Sequence, residues 1–229
     1  VAAALVAAAA LLIAAGRDGQ RRAWAWLAIA GGVLFFALRE LPLLFASEPL
    51  RRHDWNWSGH LAALGGLLGL TAVLSRRAGL GAGDFGFGRP AQLGLAAAVT
   101  AAALAVAALL HLGAGGRLER IPASTWLFVA VMPGLVEEIA FRGVLLAAAE
   151  RAAPAARRVA GVPVSAGAAL LTAAFVGLHG VGPGTLLSVL PGALLYLWLR
   201  LKTGSVWPPV VAHNLWNLVV LATHLERQG

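Results

Sequence analysis

Apolar residues fill eight long runs along this chain, near 1–16, 23–45, 58–75, 91–112, 123–149, 164–181, 184–201 and 206–223. The runs are continuous rather than alternating, which excludes the period-two pattern of a membrane β-barrel. A helix that crosses the hydrocarbon layer needs roughly 20 such residues. The pattern therefore predicts an all-α, polytopic transmembrane helix bundle of about eight spans. The first run is read as a span rather than a signal peptide, because no small-residue cleavage site stands out. Polar residues are confined to short connections, so 1–229 reads as one integral-membrane domain. Gly65, Gly66 and Gly69 sit at a spacing that lets helices approach closely within such a bundle.

The distribution of cations orients the runs. With the 17–22 connection in the cytoplasm, Arg17, Arg21, Arg22, Arg76, Arg77, Arg89, Arg151, Arg157, Arg158, Arg200 and Lys202 fall inside. Arg51, Arg52, Arg117, Arg120 and Arg227 fall outside, a bias of eleven to five. Trp24, Trp26, Trp55, Trp57, Trp126, Trp198 and Trp207 lie near run ends, as an aromatic belt requires.

Composition agrees: 59% of the residues are apolar, 12% are charged and the mean hydropathy is +0.79. Ordinary soluble domains carry about twice that share of charge. The net charge of +8 resides in connections between apolar runs, so it sets topology and does not indicate nucleic acid. Cysteine is absent, which excludes a disulfide framework and a cysteine nucleophile.

Candidate chemistry comes from charges placed where lipid is expected. The 123–149 run contains Glu137-Glu138-Ile139-Ala140-Phe141-Arg142-Gly143. A charge at the centre of a span costs roughly 2.5–3.5 kcal/mol on insertion scales, so each needs a partner or a role. Glu138 and Arg142 are four apart, share a helix face and can pair. Glu137 points about 100° away and has no local partner. Phe175 and His179 share a face of the 164–181 run, as His213 and Asn217 share a face of the last. A carboxylate in an apolar interior can act as general base towards water, and His and Asn N–H groups can bind the oxyanion formed on an attacked amide. Arg39 and Glu40 are expected to snorkel or pair locally, and His60 and His111 to pack or lie at the interface.

Three motifs in this order, EExxFRG at 137–143, FxxxH at 175–179 and HxxxN at 213–217, resemble the CPBP family of CAAX proteases and bacteriocin-processing membrane proteins. Thr203-Gly204-Ser205-Val206-Trp207-Pro208-Pro209 is similar to that family's lead-in to its third motif. The likeness covers about 85–220 as a protease core, with 1–80 as variable N-terminal spans. The resemblance implies an intramembrane endopeptidase acting on a membrane-anchored protein or peptide. In it Glu137 would activate water, His179 would help hold that water, and His213 and Asn217 would form the oxyanion site. Glu138, Arg142 and Phe175 would support them. No cofactor is expected, although zinc on Glu137, His179 and His213 stays open; there is no HExxH helix. The alanine- and arginine-rich composition suggests a bacterial cytoplasmic membrane.

Other protease classes fit less well. No GxSxG serine motif is present. Gly81-Ala82-Gly83-Asp84 spells an aspartyl-protease GxGD, yet it lies in a polar connection and lacks the second intramembrane aspartate such a dyad needs. The competing functions are an immunity or scaffold protein of the same fold and a proton-coupled transporter. The transporter reading expects internal repeats, and none is seen.

Overall fold

The computed structural model describes residues 2–45, 55–112, 122–180 and 182–224. The chain enters with α1 (Ala2–Ala15), α2 (Gly19–Phe45), α3 (Trp57–Ala78) and α4 (Leu93–Leu112). The motif run follows as one unbroken helical stretch: α5 (Ala123–Glu138), a π-helical segment (Ile139–Val144) and α6 (Leu145–Ala152). A hairpin of β1 (Ala156–Val159) and β2 (Val162–Ser165) leads into α7 (Ala166–His179), α8 (Pro183–Thr203) and α9 (Trp207–His224). Arg51, Arg52, Asp54, Arg117, Arg120 and the Glu226–Arg227 tail lie outside the described residues, as does the side chain of His111.

Each apolar run is thus helical, but the count of full spans differs from expectation. Among the described residues three helices are long and apolar enough to cross a bilayer by themselves: Gly19–Glu40, Trp57–Ala78 and Leu186–Thr203. Ala4–Ala15, Leu93–Leu109 and Ala166–His179 are shorter apolar helices. In α7 the shortfall has a visible cause. The antiparallel hairpin uses residues 156–165, and Ala160 and Gly161 at its tip both have positive φ (47° and 78°), as a type I′ turn requires. Ser165 then caps α7, its Oγ accepting from the Ala168 N–H at 3.0 Å.

The α5–π–α6 stretch runs through the middle of the bundle. α9 packs along α5, α2 packs on α3 and α6, and α1 lies against α7. Gly66 of α3 faces Leu38 of α2 closely enough that a Cβ there would overlap the leucine, so its small size serves packing within the bundle. Every residue from 138 to 149 is buried. The charges of the motif therefore face protein rather than lipid, which is the condition for keeping them in a membrane domain.

One end of the bundle is closed by connections that bond to one another. Val206 N–H donates to Gly86 O, Ala91 N–H to Thr203 O, and Ser205 Oγ to Gly88 O. Trp198 Nε1 donates to Ala160 O of the hairpin. The GxGD sequence belongs to this end. Its aspartate accepts from Gly81 N–H in a tight turn and pairs with Arg151, and these two contacts hold the Asp84 carboxyl below the usual carboxylate range. That is a structural use of the motif, in a loop.

Candidate active site

Two adjacent glutamates on α5 diverge, as one helical step demands, and each meets a different set of partners. Glu138 is fully buried. Its Oε1 lies 2.8 Å from His213 Nδ1 on α9, and Arg142 Nε approaches its Oε2 at 3.4 Å. The expected Glu138–Arg142 pair is present, and a third member, His213, completes it. Arg142 reaches further: Nη2 donates to Ala193 O on α8 at 3.1 Å, and its guanidinium lies 4.3 Å from the Phe175 ring centroid. The buried cation is thus met by a carboxylate, a carbonyl and an aromatic face, which together offset its desolvation.

Phe175 is the hub of the apolar side. Its ring contacts those of Phe141, His179 and His213 at 5.0, 4.7 and 6.3 Å between centroids. His179 Nδ1 sits 2.9 Å from the Phe175 carbonyl, leaving Nε2 as the outward nitrogen of the ring. His213 is likewise turned by Glu138 so that Nε2 is its outward nitrogen, and it stacks on Tyr196 at 4.7 Å and 12°.

Glu137, about 100° round the helix, faces α2. Arg39 Nη1 lies 3.8 Å from its Oε1. Its Oε2, like that of Glu138, is buried and accepts no hydrogen bond among the described residues. The partner that the motif helix cannot supply comes from a span more than ninety positions earlier in the chain. Arg39 also makes the expected local pair with Glu40. His60 packs edge-on against Phe128 and bonds to Asn56 O, as a packing histidine should.

Asn217 is half-buried one turn beyond His213. Among the described residues no hydrogen bond joins it to Glu137, His179 or His213, nor joins those three to one another. The asparagine that does bond across helices is Asn214, directly after His213, at a variable position of the HxxxN motif. Gly134 N–H donates to Asn214 Oδ1 at 2.8 Å, and Asn214 Nδ2 donates to Val131 O at 3.2 Å. These bonds grip α5 beside Pro133, where the proline ring crowds the helix ladder. A Cβ at Gly134 would stand 2.5 Å from Asn214 Oδ1 and 2.7 Å from Val210 O, so only glycine permits this approach of α9. A Pro-Gly pair inside an apolar run was the available signal.

Two further residues carry no motif that would mark them. Tyr196 provides the His213 stack. Arg200, counted among the loop cations, is buried on α8 and donates from Nε to Arg142 O at 2.8 Å, bonding a carbonyl of the π-helical segment. As for zinc, among the described residues no three of His, Cys, Asp and Glu are gathered closely enough to share a metal ion.

Residues 119–219 match the family model described as Rce1-like, type II CAAX prenyl endopeptidase Rce1-like. The match is narrower than the 85–220 likeness read from the motifs, yet it includes all three of them. No curated protein and no solved structure matches the chain.

Proposed function

From the premise that residues 119–219 match the Rce1-like family of CAAX endopeptidases, we propose that this integral membrane protein is an intramembrane endopeptidase of the glutamate-base type. Its substrate is a membrane-anchored protein or peptide, and its site is a bacterial cytoplasmic membrane. The observation that carries the reading is Glu137, a largely buried carboxylate that, unlike its neighbour Glu138, meets neither the arginine of its own helix nor a histidine, and among the described residues is faced by the Arg39 charge at 3.8 Å. A carboxylate kept inside the bundle without a hydrogen-bonded partner calls for an explanation, and catalysis is one.

In the reaction, Oε2 takes a proton from a water held between Glu137 and His179 as that water adds to the scissile carbonyl. The carbonyl oxygen becomes an oxyanion, which accepts from His213 Nε2–H and the Asn217 amide. Glu138 Oε1 beside Nδ1 orients the ring so that Nε2 is the nitrogen turned to the oxyanion. Collapse of the tetrahedral species breaks the C–N bond, and Glu137 passes its proton to the departing amine. Glu138, Arg142 and Phe175 hold the imidazole and the motif helix in register.

The test is Glu137→Gln, which preserves size and removes the base. Cleavage of a lipid-anchored fluorogenic peptide in proteoliposomes is expected to vanish, with the melting temperature retained. Cleavage at the wild-type rate would overturn the protease reading.

A further inference from the structure

Arg39 lies on α2, outside the segment matched by the family model, and its surroundings fix it closely. Asn56 Nδ2 donates to the Arg39 carbonyl at 2.6 Å, while Asn56 Oδ1 caps α3 by accepting from Gly59 N–H at 2.9 Å. The start of α3 thus grips the backbone from which the Arg39 side chain departs. The guanidinium packs beside Phe35 and Phe36, 5.9 and 5.4 Å from their centroids, and donates from Nε to Glu40. Phe35 in turn meets Phe141 of the π-helical segment at 6.0 Å. Another nitrogen of the group, Nη1, faces Glu137 Oε1 at 3.8 Å.

We propose that Arg39 is a positioning residue for the general base: its charge holds the Oε1 edge of Glu137 towards α2 and so fixes the orientation in which the carboxylate meets the reacting water. The inference rests on the reading of Glu137 as base. At 3.8 Å the attraction is between charges rather than through a hydrogen bond, so a lysine, which loses the stacking but keeps the charge, retains it and a neutral side chain does not. An N-terminal span thereby completes a site whose other members all lie within 119–219.

The experiment compares Arg39→Gln, Arg39→Lys and Glu137→Gln in the full chain, reconstituted in liposomes, with a lipid-anchored fluorogenic peptide as the probe. Misplacing a catalytic group by about an ångström costs up to a hundredfold, so Arg39→Gln is expected to lower kcat by about tenfold or more with KM nearly unchanged. Arg39→Lys is expected to restore most of kcat. Melting curves accompany each variant, and Arg39→Met, which keeps an apolar stem over Phe35 and Phe36, replaces Arg39→Gln if the latter does not fold. An unchanged kcat in the neutral variants overturns the proposal. So does an effect on KM alone, or an equal loss in the lysine variant. Glu137→Gln separates the two levels: if it is inactive while the neutral Arg39 variants are not impaired, only the role of Arg39 fails, whereas an active Glu137→Gln removes the base itself.

Discussion

At the scale of single residues, the proposed reading gives the two glutamates different tasks, Glu138 holding the bundle and Glu137 acting on water. Arg142→Ala leaves the fully buried Glu138 without its cation, and truncating one partner of such a pair costs about 3–5 kcal/mol. A large fall in detergent melting temperature and in membrane yield is expected. Among the described residues Asn217 belongs to no hydrogen-bonded network, so the melting curve of Asn217→Ala should stay in place. If Asn217 donates to the oxyanion, cleavage should fall about a hundredfold or more, as for other donors of this kind. Since Glu137, His179 and His213 do not cluster as ligands, proteolysis is also expected to survive strong chelation. Loss of activity on chelation with recovery on added zinc would contradict this. Glu138–Arg142 was legible in the sequence because i, i+4 spacing is a property of one helix. The Arg39 and His213 contacts were not, because each joins helices whose packing no local pattern encodes.

At the scale of elements, the central question is how α9 is held at the depth where His213 and Asn217 can serve the site. The answer is the junction of Pro133 and Gly134 with Asn214, where α9 enters the space a side chain would otherwise fill. Gly134→Ala is helix-compatible by propensity, yet its Cβ collides with Asn214 and with the Val210 carbonyl. The helices must part by a good fraction of an ångström, carrying His213 away from its partners. Cleavage is expected to drop by tens of fold or more. The Glu138–His213 contact is the same displacement read structurally, and Asn214→Ala should mimic it only in part because it removes bonds without adding bulk. Hydrophobic runs located all the helical stretches well, since continuous apolarity reports burial in lipid or protein alike. They missed the hairpin at 156–165, whose first strand carries two arginines, and the π-helical turn, where Arg200 bonds the Arg142 carbonyl from another helix.

At the scale of the whole molecule, the orientation drawn from eleven cations against five is a statement about which connections share a side. Among the described residues, several connections that carry the eleven lie together. The 79–92 connection, the 156–165 hairpin and the α8–α9 junction bond to one another at one end, through Gly86, Gly88, Ala91 and Ala160. Ala15 and Ala25, which flank the 17–22 turn, share a core cluster with Ala152 and Ala153 beside the same hairpin. At the other end Trp55 Nε1 donates to Thr125 Oγ1, and Arg39 meets Glu137 from that side. Arg200 is spent on an internal bond, so it drops out of the count, leaving ten against five, and the bias survives. The cation-rich end is therefore expected to face the cytoplasm. The chain contains no cysteine, so single cysteines introduced at Arg157, Lys202 and the exposed Ser124 report their side without background. In intact cells a membrane-impermeant maleimide should label Ser124→Cys alone, at the start of α5, and should reach Arg157→Cys and Lys202→Cys only after permeabilisation. Labelling of both latter positions from outside would invert the molecule, and with it the face from which a substrate approaches the Arg39 end of the site.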